Sequence, residues 1–308
     1  MELKSPMLAS AYDRDAQRFP VLGSPKIDGI RAHIVNGIVY SRSGKPIRNK
    51  HIQRTLGCDR FNGFDGELCF GRMNAPDVYN KTSKGVMSVN GSEEFGDLDF
   101  DFHVFDCYLD PDLPHRARMG HVRREVLPLA YPSPLYVPMI KFIDQVIISN
   151  LEELDQYEAD CLAQGFEGIM LRDPELGYKF GRSTAKEGRL LKVKRFAHSE
   201  ARIVGFEELM HNTNEAVESE LGRTKRSTAK DGMVPGGMLG AYIVEHPDYA
   251  KQFNVSCGSM DNDERKARWA SRFRDFGKLC RFKYLPHGTK DVPRHPLFDG
   301  FRDPDDLS

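Results

Sequence analysis

The sequence predicts an α+β fold in two parts: a mixed domain of antiparallel strands and helices over residues 1–197, then a small β-barrel domain over residues 198–308. Three observations carry this reading. Strand-like alternation and capped helices are interleaved through the first two thirds of the chain. Around Phe196 to Ala201 the character changes to short strands and turns. A single capped helix interrupts that second region. A length of 308 residues with 40% hydrophobic and 10% aromatic content suits about two packed domains and argues against general disorder.

In the first domain, Arg31–Val35 and Ile38–Ser41 read as strands joined by Asn36-Gly37, a strong hairpin signal. Phe64–Phe70 and Asp101–Leu109 alternate or run apolar, as strands of a half-buried sheet do. Leu151–Gln164 is the clearest helix: Asn150 and Glu153 form a capping box, Leu151, Leu154, Cys161 and Leu162 share a face, and Gly165 ends it. Gly168–Arg172 and Leu190–Lys194 return to strand character. In the second domain, Ala201–Phe206, Leu239–Glu245, Phe253–Cys257 and Leu279–Tyr284 read as strands. A helix over Asp261–Phe276 opens on the Asp261/Glu264 capping box and places Trp269, Phe273 and Phe276 on its apolar face. About five strands with one helix is the shape of an OB-fold barrel. Residues 209–237 are polar and read as a long structureless loop, of the kind that is functional or disordered more often than packed.

Composition narrows the function classes. No apolar run is long and uninterrupted enough to span a membrane, and the N-terminus lacks the apolar core of a signal peptide. Six cysteines lie far apart with no Cys-x-x-Cys pair, which argues against zinc and fits reduced thiols in a cytoplasmic, unsecreted protein. Net charge is −1, from 44 basic and 45 acidic residues, so any polyanion site must be local. Two basic clusters exist, Arg189 to Arg195 and Arg223 to Lys230. A solvated face is the ordinary meaning of such clusters.

The hexapeptide Lys26-Ile27-Asp28-Gly29-Ile30-Arg31 stands out. A lysine beside a glycine that admits close backbone approach, with an arginine fork nearby, suits a covalent nucleophile facing a phosphate. Four fixed residues arise by chance in about one chain of this length in two hundred, and a surface hairpin with an idle lysine is the alternative. Downstream, in order, stand Ser41-Arg42-Ser43-Gly44-Lys45-Pro46-Ile47, Phe64-Asp65-Gly66-Glu67-Leu68, Phe102-His103-Val104-Phe105-Asp106, Glu167-Gly168-Ile169-Met170-Leu171-Arg172 and Leu191-Lys192-Val193-Lys194. Lys192 and Lys194 alternate with Leu191 and Val193, so both point to one side of a strand, where packing alone explains them poorly.

These segments and their order resemble the covalent nucleotidyltransferases: ATP-dependent DNA ligases, RNA ligases and mRNA capping enzymes. The chain is most similar to the small virus- and phage-encoded ATP-dependent DNA ligases of the Chlorella virus type. That similarity includes Tyr178-Lys179-Phe180-Gly181-Arg182-Ser183-Thr184, Lys225-Arg226-Ser227-Thr228 and Pro293-Arg294-His295-Pro296-Leu297-Phe298. It implies a nucleotidyltransferase domain followed by an OB-fold domain, with ATP and Mg²⁺ as cofactors (Mn²⁺ as a substitute) and nicked duplex DNA as partner. It further implies a monomer without zinc or membrane, at work in the cytoplasm of a bacterial or phage-infected cell, or wherever viral DNA is replicated.

The resemblance also assigns roles. Lys26 would attack the α-phosphate of ATP and become AMP-lysine. Ser24, Ile27, Arg31, Arg42, Glu67, Phe105, Glu167, Lys192 and Lys194 would hold the nucleotide, Phe105 by stacking on adenine and the two lysines on the phosphates. Lys192 and Lys194 count with Lys26 as catalytic. Glu67 and Glu167 would hold the metal, and Arg31 and Arg42 would also meet the 5′-phosphate of the nick. Arg294 and Arg302 match the family's last motif, although Arg302-Asp303-Pro304-Asp305 lacks the lysine that usually follows its acidic residue. Residues 209–237 correspond to a hairpin latch that closes on DNA, with Arg223, Lys225, Arg226 and Lys230 as phosphate contacts; the loop is expected to order on binding. An RNA ligase or capping guanylyltransferase shares the lysine chemistry. NAD⁺-dependent ligases carry an additional N-terminal domain and a zinc module that have no counterpart here. A non-catalytic OB-fold binding protein is the alternative from another class.

Overall fold

The computed structural model describes residues 1–89, 100–126, 140–218, 224–286 and 291–302. The chain divides into two compact units, one formed by Met1–Lys194 with Glu218–Arg223, the other by Arg195–Val217 and Thr224–Ser308.

The first unit contains, in chain order, β1 (Ser10–Ala11), β2 (Val21–Pro25), β3 (Ile30–Val35), β4 (Ile38–Ser41), α1 (Lys50–Leu56), β5 (Phe64–Phe70), α2 (Val78–Met87) and β6 (Phe100–Cys107). It continues with α3 (His115–Val126), β7 (Ile140–Phe142), β8 (Val146–Ile148), α4 (Leu151–Ala163), β9 (Ile169–Arg172) and β10 (Leu191–Val193). These strands make two five-stranded sheets, ordered β4-β3-β5-β6-β7 and β1-β10-β9-β2-β8. Ala32, Ile34, Leu68, Phe102 and Val104 are fully buried beneath the first sheet, packed with Ile52 and Leu56 of α1 and Val122 of α3. Leu154 and Cys161 of α4 pack under the second sheet against Ile169, Leu171 and Leu191. The chain passes from the second sheet to the first between β2 and β3, and Lys26 sits on that passage.

The capping chemistry is as the residues suggest. The Asn150 side chain accepts from Glu153 N at 2.9 Å, and Glu153 in turn accepts from Ser149 N at 2.7 Å. One expectation for α4 fails: Leu162 is exposed, because the buried stripe runs through Leu154, Glu158 and Cys161 and leaves Leu162 beside it.

The second unit holds β11 (Ala197–Asn212), β12 (Ala216–Glu218), β13 (Thr224–Arg226), β14 (Met233–His246), β15 (Tyr249–Ser256), α5 (Asn262–Ala270), β16 (Leu279–Leu285) and β17 (Arg294–Phe301). Five of these close a barrel in the order β11-β14-β15-β17-β16. Strand β11 is long enough to pair with β16 through its first residues and with β14 through the rest. Ile203, Leu239, Tyr242, Val244, Val255 and Phe282 fill the barrel interior.

Two expectations here are corrected. The helix that begins at Asp261 stops at Ala270, and Arg272–Asp275 tighten into a 3₁₀ turn. The change of pitch swings Phe273 and Phe276 outward, to 75% and 59% exposure, rather than onto a buried face. The segment 209–237 is also more ordered than a structureless loop. β11 and β14 continue pairing out to Asn212↔Met233, and β12 and β13 form a two-stranded sheet. Main-chain pairing needs no apolar pattern when both faces are wet, so the polar sequence concealed it. The Asn214 side chain reaches Ser227 O at 2.9 Å and Ala229 O at 3.0 Å, and Asn212 reaches Ser227 O at 2.8 Å, which fixes the base of this hairpin. Residues 219–223, Arg223 among them, lie outside the described residues, as does the Lys225 side chain.

Candidate active site

The backbone around Lys26 is pinned to Glu167 and Gly168, just ahead of β9. Lys26 N donates to Gly168 O at 2.8 Å and Glu167 N donates to Lys26 O at 3.3 Å. Two glycines permit this closeness. A Cβ on Gly168, whose φ is +149°, would lie 2.3 Å from Val193 O; one on Gly29 would lie 2.3 Å from Leu68 O. The Lys26 Nζ then meets one carboxylate oxygen of Glu167, and Lys194 Nζ meets the other. Glu167 is almost fully buried, and burial would push its carboxyl up. The two lysines, Lys26 foremost, overrule that and hold it down at about 2.

In front of Lys26, between the two sheets, lies a cavity of about 280 Å³. One wall comes from the second sheet and the segments beside it: Ser24 at the end of β2, Met170 and Arg172 of β9, and Lys192 of β10. The facing wall comes from the first sheet: Arg31 of β3, Glu67 of β5 and Phe105 of β6. Ile27 and Arg42 complete the lining among the residues expected from sequence. Lys192, crowded by burial and by Lys26 and Lys194, has its ammonium pKa lowered.

Arg31 and Glu67 are direct cross-strand neighbours. The Arg31 guanidinium is bound by the buried Asp65, with Nε 2.8 Å from Oδ1, and donates to Met7 O at 2.7 Å, so much of its fork is already engaged. Glu67 is different. Among the described residues no hydrogen bond or ion pair reaches its carboxylate; burial pushes its pKa up to about 7, against the pull of Lys26 and Arg31. The Phe105 ring lines the cavity with the Arg31 and Arg172 guanidinium carbons 5.1 and 5.3 Å from its centre.

Sequence reasoning passed over Arg172 and Arg182, which both line the cavity. Arg172 is held from beneath by fully buried Asp106 at 2.6 Å, and Asp106 also binds Arg118 at 2.9 and 3.1 Å. Burial alone would raise the Asp106 carboxyl, but His115, Arg172 and Arg118 hold it well below the usual carboxylate range. Both arginines sit inside motifs that stood out in the sequence, so nearness to those motifs was the available signal. Arg294 and Arg302 belong to the barrel unit: Arg294 opens β17, and Arg302 Nε lies 3.1 Å from Glu200 Oε1. Arg226, on β13, donates to Asn214 O, and Lys230 stands exposed on a short turn.

Among the described residues, no group of three or more His, Cys, Asp or Glu side chains is placed to hold a metal ion. All six cysteines are free, and among the described residues no helix is long and apolar enough to cross a membrane.

A lysine and a carboxylate lining a nucleotide-sized cavity between two sheets, with a second carboxylate paired to that lysine, on a chain that also closes a five-stranded barrel, define a covalent nucleotidyltransferase with an OB-like domain. A family model for the ATP dependent DNA ligase domain matches residues 6–194, and one for the DNA ligase OB-like domain matches residues 233–302. The chain belongs to the ATP-dependent DNA ligases. The crystal structure of Chlorella virus DNA ligase-adenylate is 30% identical over 98% of this chain and 100% of that one, with a TM-score of 0.55. A second crystal structure of Chlorella virus DNA ligase-adenylate gives 31% identity over 99% and 100%, with a TM-score of 0.54. A structure from work on Lig E DNA ligases, 23% identical over 98% of this chain and 100% of that one, shares the fold with a TM-score of 0.69. No curated protein matches significantly.

Proposed function

We propose that the protein seals 3′-hydroxyl/5′-phosphate nicks in duplex DNA, with Lys26 as the covalent nucleophile. The observation that carries this assignment is the Lys26–Glu167–Lys194 triad, whose Lys26 lines a cavity walled also by Phe105 and Lys192. The Lys26 amine, once its proton has passed to water, attacks the α-phosphate of ATP. A P–N bond forms, the bond to the β-phosphate breaks, and pyrophosphate leaves. The AMP then passes to the 5′-phosphate of a nick, which frees Lys26, and the 3′-hydroxyl displaces AMP to form the phosphodiester. Glu167 orients the amine. Lys192 and Lys194 neutralise phosphate oxygens, Phe105 stacks on the base, and Ser24 and Ile27 shape the pocket. Arg31 steadies Phe105 and, with Arg42, faces the nick phosphate. Arg294 and Arg302 act on the pyrophosphate from the barrel unit.

Glu67 fits a divalent cation. It is a half-buried carboxylate at the cavity without a hydrogen-bonding partner among the described residues, and a single carboxylate plus phosphate oxygens is the usual protein share of a Mg²⁺ shell. Glu67, with Glu167 once its lysines turn to phosphate, would hold Mg²⁺ or Mn²⁺. The ion would neutralise charge on the phosphate oxygens. We assign adenylation to residues 1–197 and the OB-fold to 198–308. The hairpin over 209–237 serves as a latch whose Arg223, Lys225, Arg226 and Lys230 meet DNA phosphates, in a monomer that needs no zinc.

The test is to incubate the protein with Mg²⁺ and α-labelled ATP, GTP or NAD⁺ and look for acid-stable label. Label from ATP that vanishes in Lys26→Ala supports the assignment. Label from GTP alone moves the protein to RNA capping chemistry, and no label from any donor leaves a nucleic-acid-binding protein.

A further inference from the structure

The two phenylalanines displaced from the core form part of a surface platform on the barrel unit. Phe273 and Phe276 sit three residues apart on a 3₁₀ turn, a spacing that brings side chains to one side. Their ring centres lie 6.0 and 6.5 Å from that of Phe206 on β11. Arg272 lies between rings, its guanidinium carbon 4.3 Å from the centre of Trp269 and 5.0 Å from that of Phe273. The result is a continuous cluster of four aromatic rings and one guanidinium, with Phe273 edge-to-face and Phe276 tilted against Phe206, open to solvent at Phe273 and Phe276.

The surroundings are cationic. Arg274 is exposed on the same turn and Lys278 three residues beyond its end, and exposed Arg202 reaches Gly277 O at 3.1 Å. The nearby acid, Asp275, is buried, and its carboxylate is taken by Tyr242, Arg268 and Lys278. Residues 261–278 contain no Leu, Ile, Val or Met, the aliphatic anchors of a protein-docking groove. Exposed π-faces interleaved with arginines are the chemistry that stacks unpaired bases while neutralising the phosphates between them.

We propose that the Phe206–Phe273–Phe276 face, with Arg272, Arg274 and Arg202 around it, binds a short stretch of unpaired DNA, as at an overhang or gap. The proposal rests on the ligase reading for its source of DNA, but on none of the nucleotide-pocket residues.

The experiment uses the full chain and a fluorescent single-stranded 12-mer. Phe273→Ala/Phe276→Ala is expected to weaken binding roughly tenfold or more, and Arg272→Gln to weaken it less. Phe273→Trp keeps a stacking surface and is expected to bind as the parent does. Because both phenylalanines are largely exposed, thermal unfolding of the double variant is expected to match the parent, and sealing of a fully paired nick to stay within about twofold. A 5-iodouracil in the strand is expected to crosslink within residues 269–278. Unchanged single-strand affinity together with no crosslink there overturns the proposal. So does a double variant that loses an Asp/Glu-rich peptide but keeps DNA, which would make the face a protein contact. Labelling of Lys26 by ATP is scored on the same preparations: parent protein that takes no label defeats the ligase reading, whereas labelled protein with unaltered strand binding defeats only the platform.

Discussion

Lys26 and Glu167, 141 positions apart, are joined twice: their side chains form an ion pair, and Glu167 N donates to Lys26 O at 3.3 Å. The backbone link sets where the lysine starts, and the side-chain link sets where its amine points. In Glu167→Gln the first is expected to survive and the second to weaken, leaving two cations facing a neutral amide. Enzyme–AMP formation should fall by about 10²-fold or more, as loss of alignment at a reacting amine does. A quench-flow time course with labelled ATP measures this. A variant within threefold of the parent would show that the pair does not aim the nucleophile.

The raised pKa of Glu67 predicts a pH-dependent stability. Its folded value of about 7 exceeds the ordinary 4.5, so the folded protein binds more protons than the unfolded chain between those two values. Stability from this group is therefore full below pH 4.5 and is lost as pH rises to about 7, by about 3 kcal/mol. In Glu67→Gln that part of the decline should vanish. Mg²⁺ should raise the melting temperature of the parent above pH 7 and have little effect on the variant. Melting curves at pH 5 to 8, with and without Mg²⁺, decide both points.

Glu167 predicts the opposite slope in acid. Held at about 2 between its lysines, it stabilises the fold above its ordinary value of 4.5, and that contribution is lost as pH falls from 4.5 through 2. Lys194→Met should make the acid-unfolding midpoint rise, which circular dichroism would follow; an unmoved midpoint would speak against the pair.

Removing Asp106 should do more damage than removing either arginine it holds. Asp106→Ala leaves Arg118 and Arg172 buried without their counter-ion, at a cost of about 3–5 kcal/mol. Because Arg172 lies over the Phe105 ring, KM for ATP should rise as well. Urea unfolding and steady-state adenylation would check the two effects, and Asp106→Glu should restore part of each.

Deleting residues 212–232 should weaken binding to nicked DNA and flatten its dependence on salt, since each lost phosphate contact removes nearly one unit of slope. An unchanged slope would show that this hairpin does not meet the backbone of DNA.

Local signals in the sequence foretold much of this. The Asn150 and Asp261 caps mark helix starts because each hydrogen bond, to Glu153 N and to Glu264 N, is made within four residues, although neither glutamate returns a bond to its cap N–H. Of the motif residues, Lys26, Arg31, Arg42, Glu67, Phe105 and Lys192 line one cavity, whose walls come from both sheets of the first unit. What stayed hidden depends on distant partners. Phe273 and Phe276 keep helical spacing in the sequence, yet the helix has already ended at Ala270. Strand pairing along 209–237 is made by backbone and leaves no apolar trace. Arg172 reads as the end of a strand until Asp106, 66 positions earlier, is seen beneath it.

Lys26 lies where the chain leaves one sheet for the other, with its backbone tied to the β9 side and the Phe105 wall opposite. An adenylyl group attached there would be covalently anchored to one wall and stacked on the other. The intermediate would thus act as a cross-brace. Charging the enzyme should stiffen the cleft and slow protease cutting of the loops around it, until the AMP passes to a nick or back to pyrophosphate.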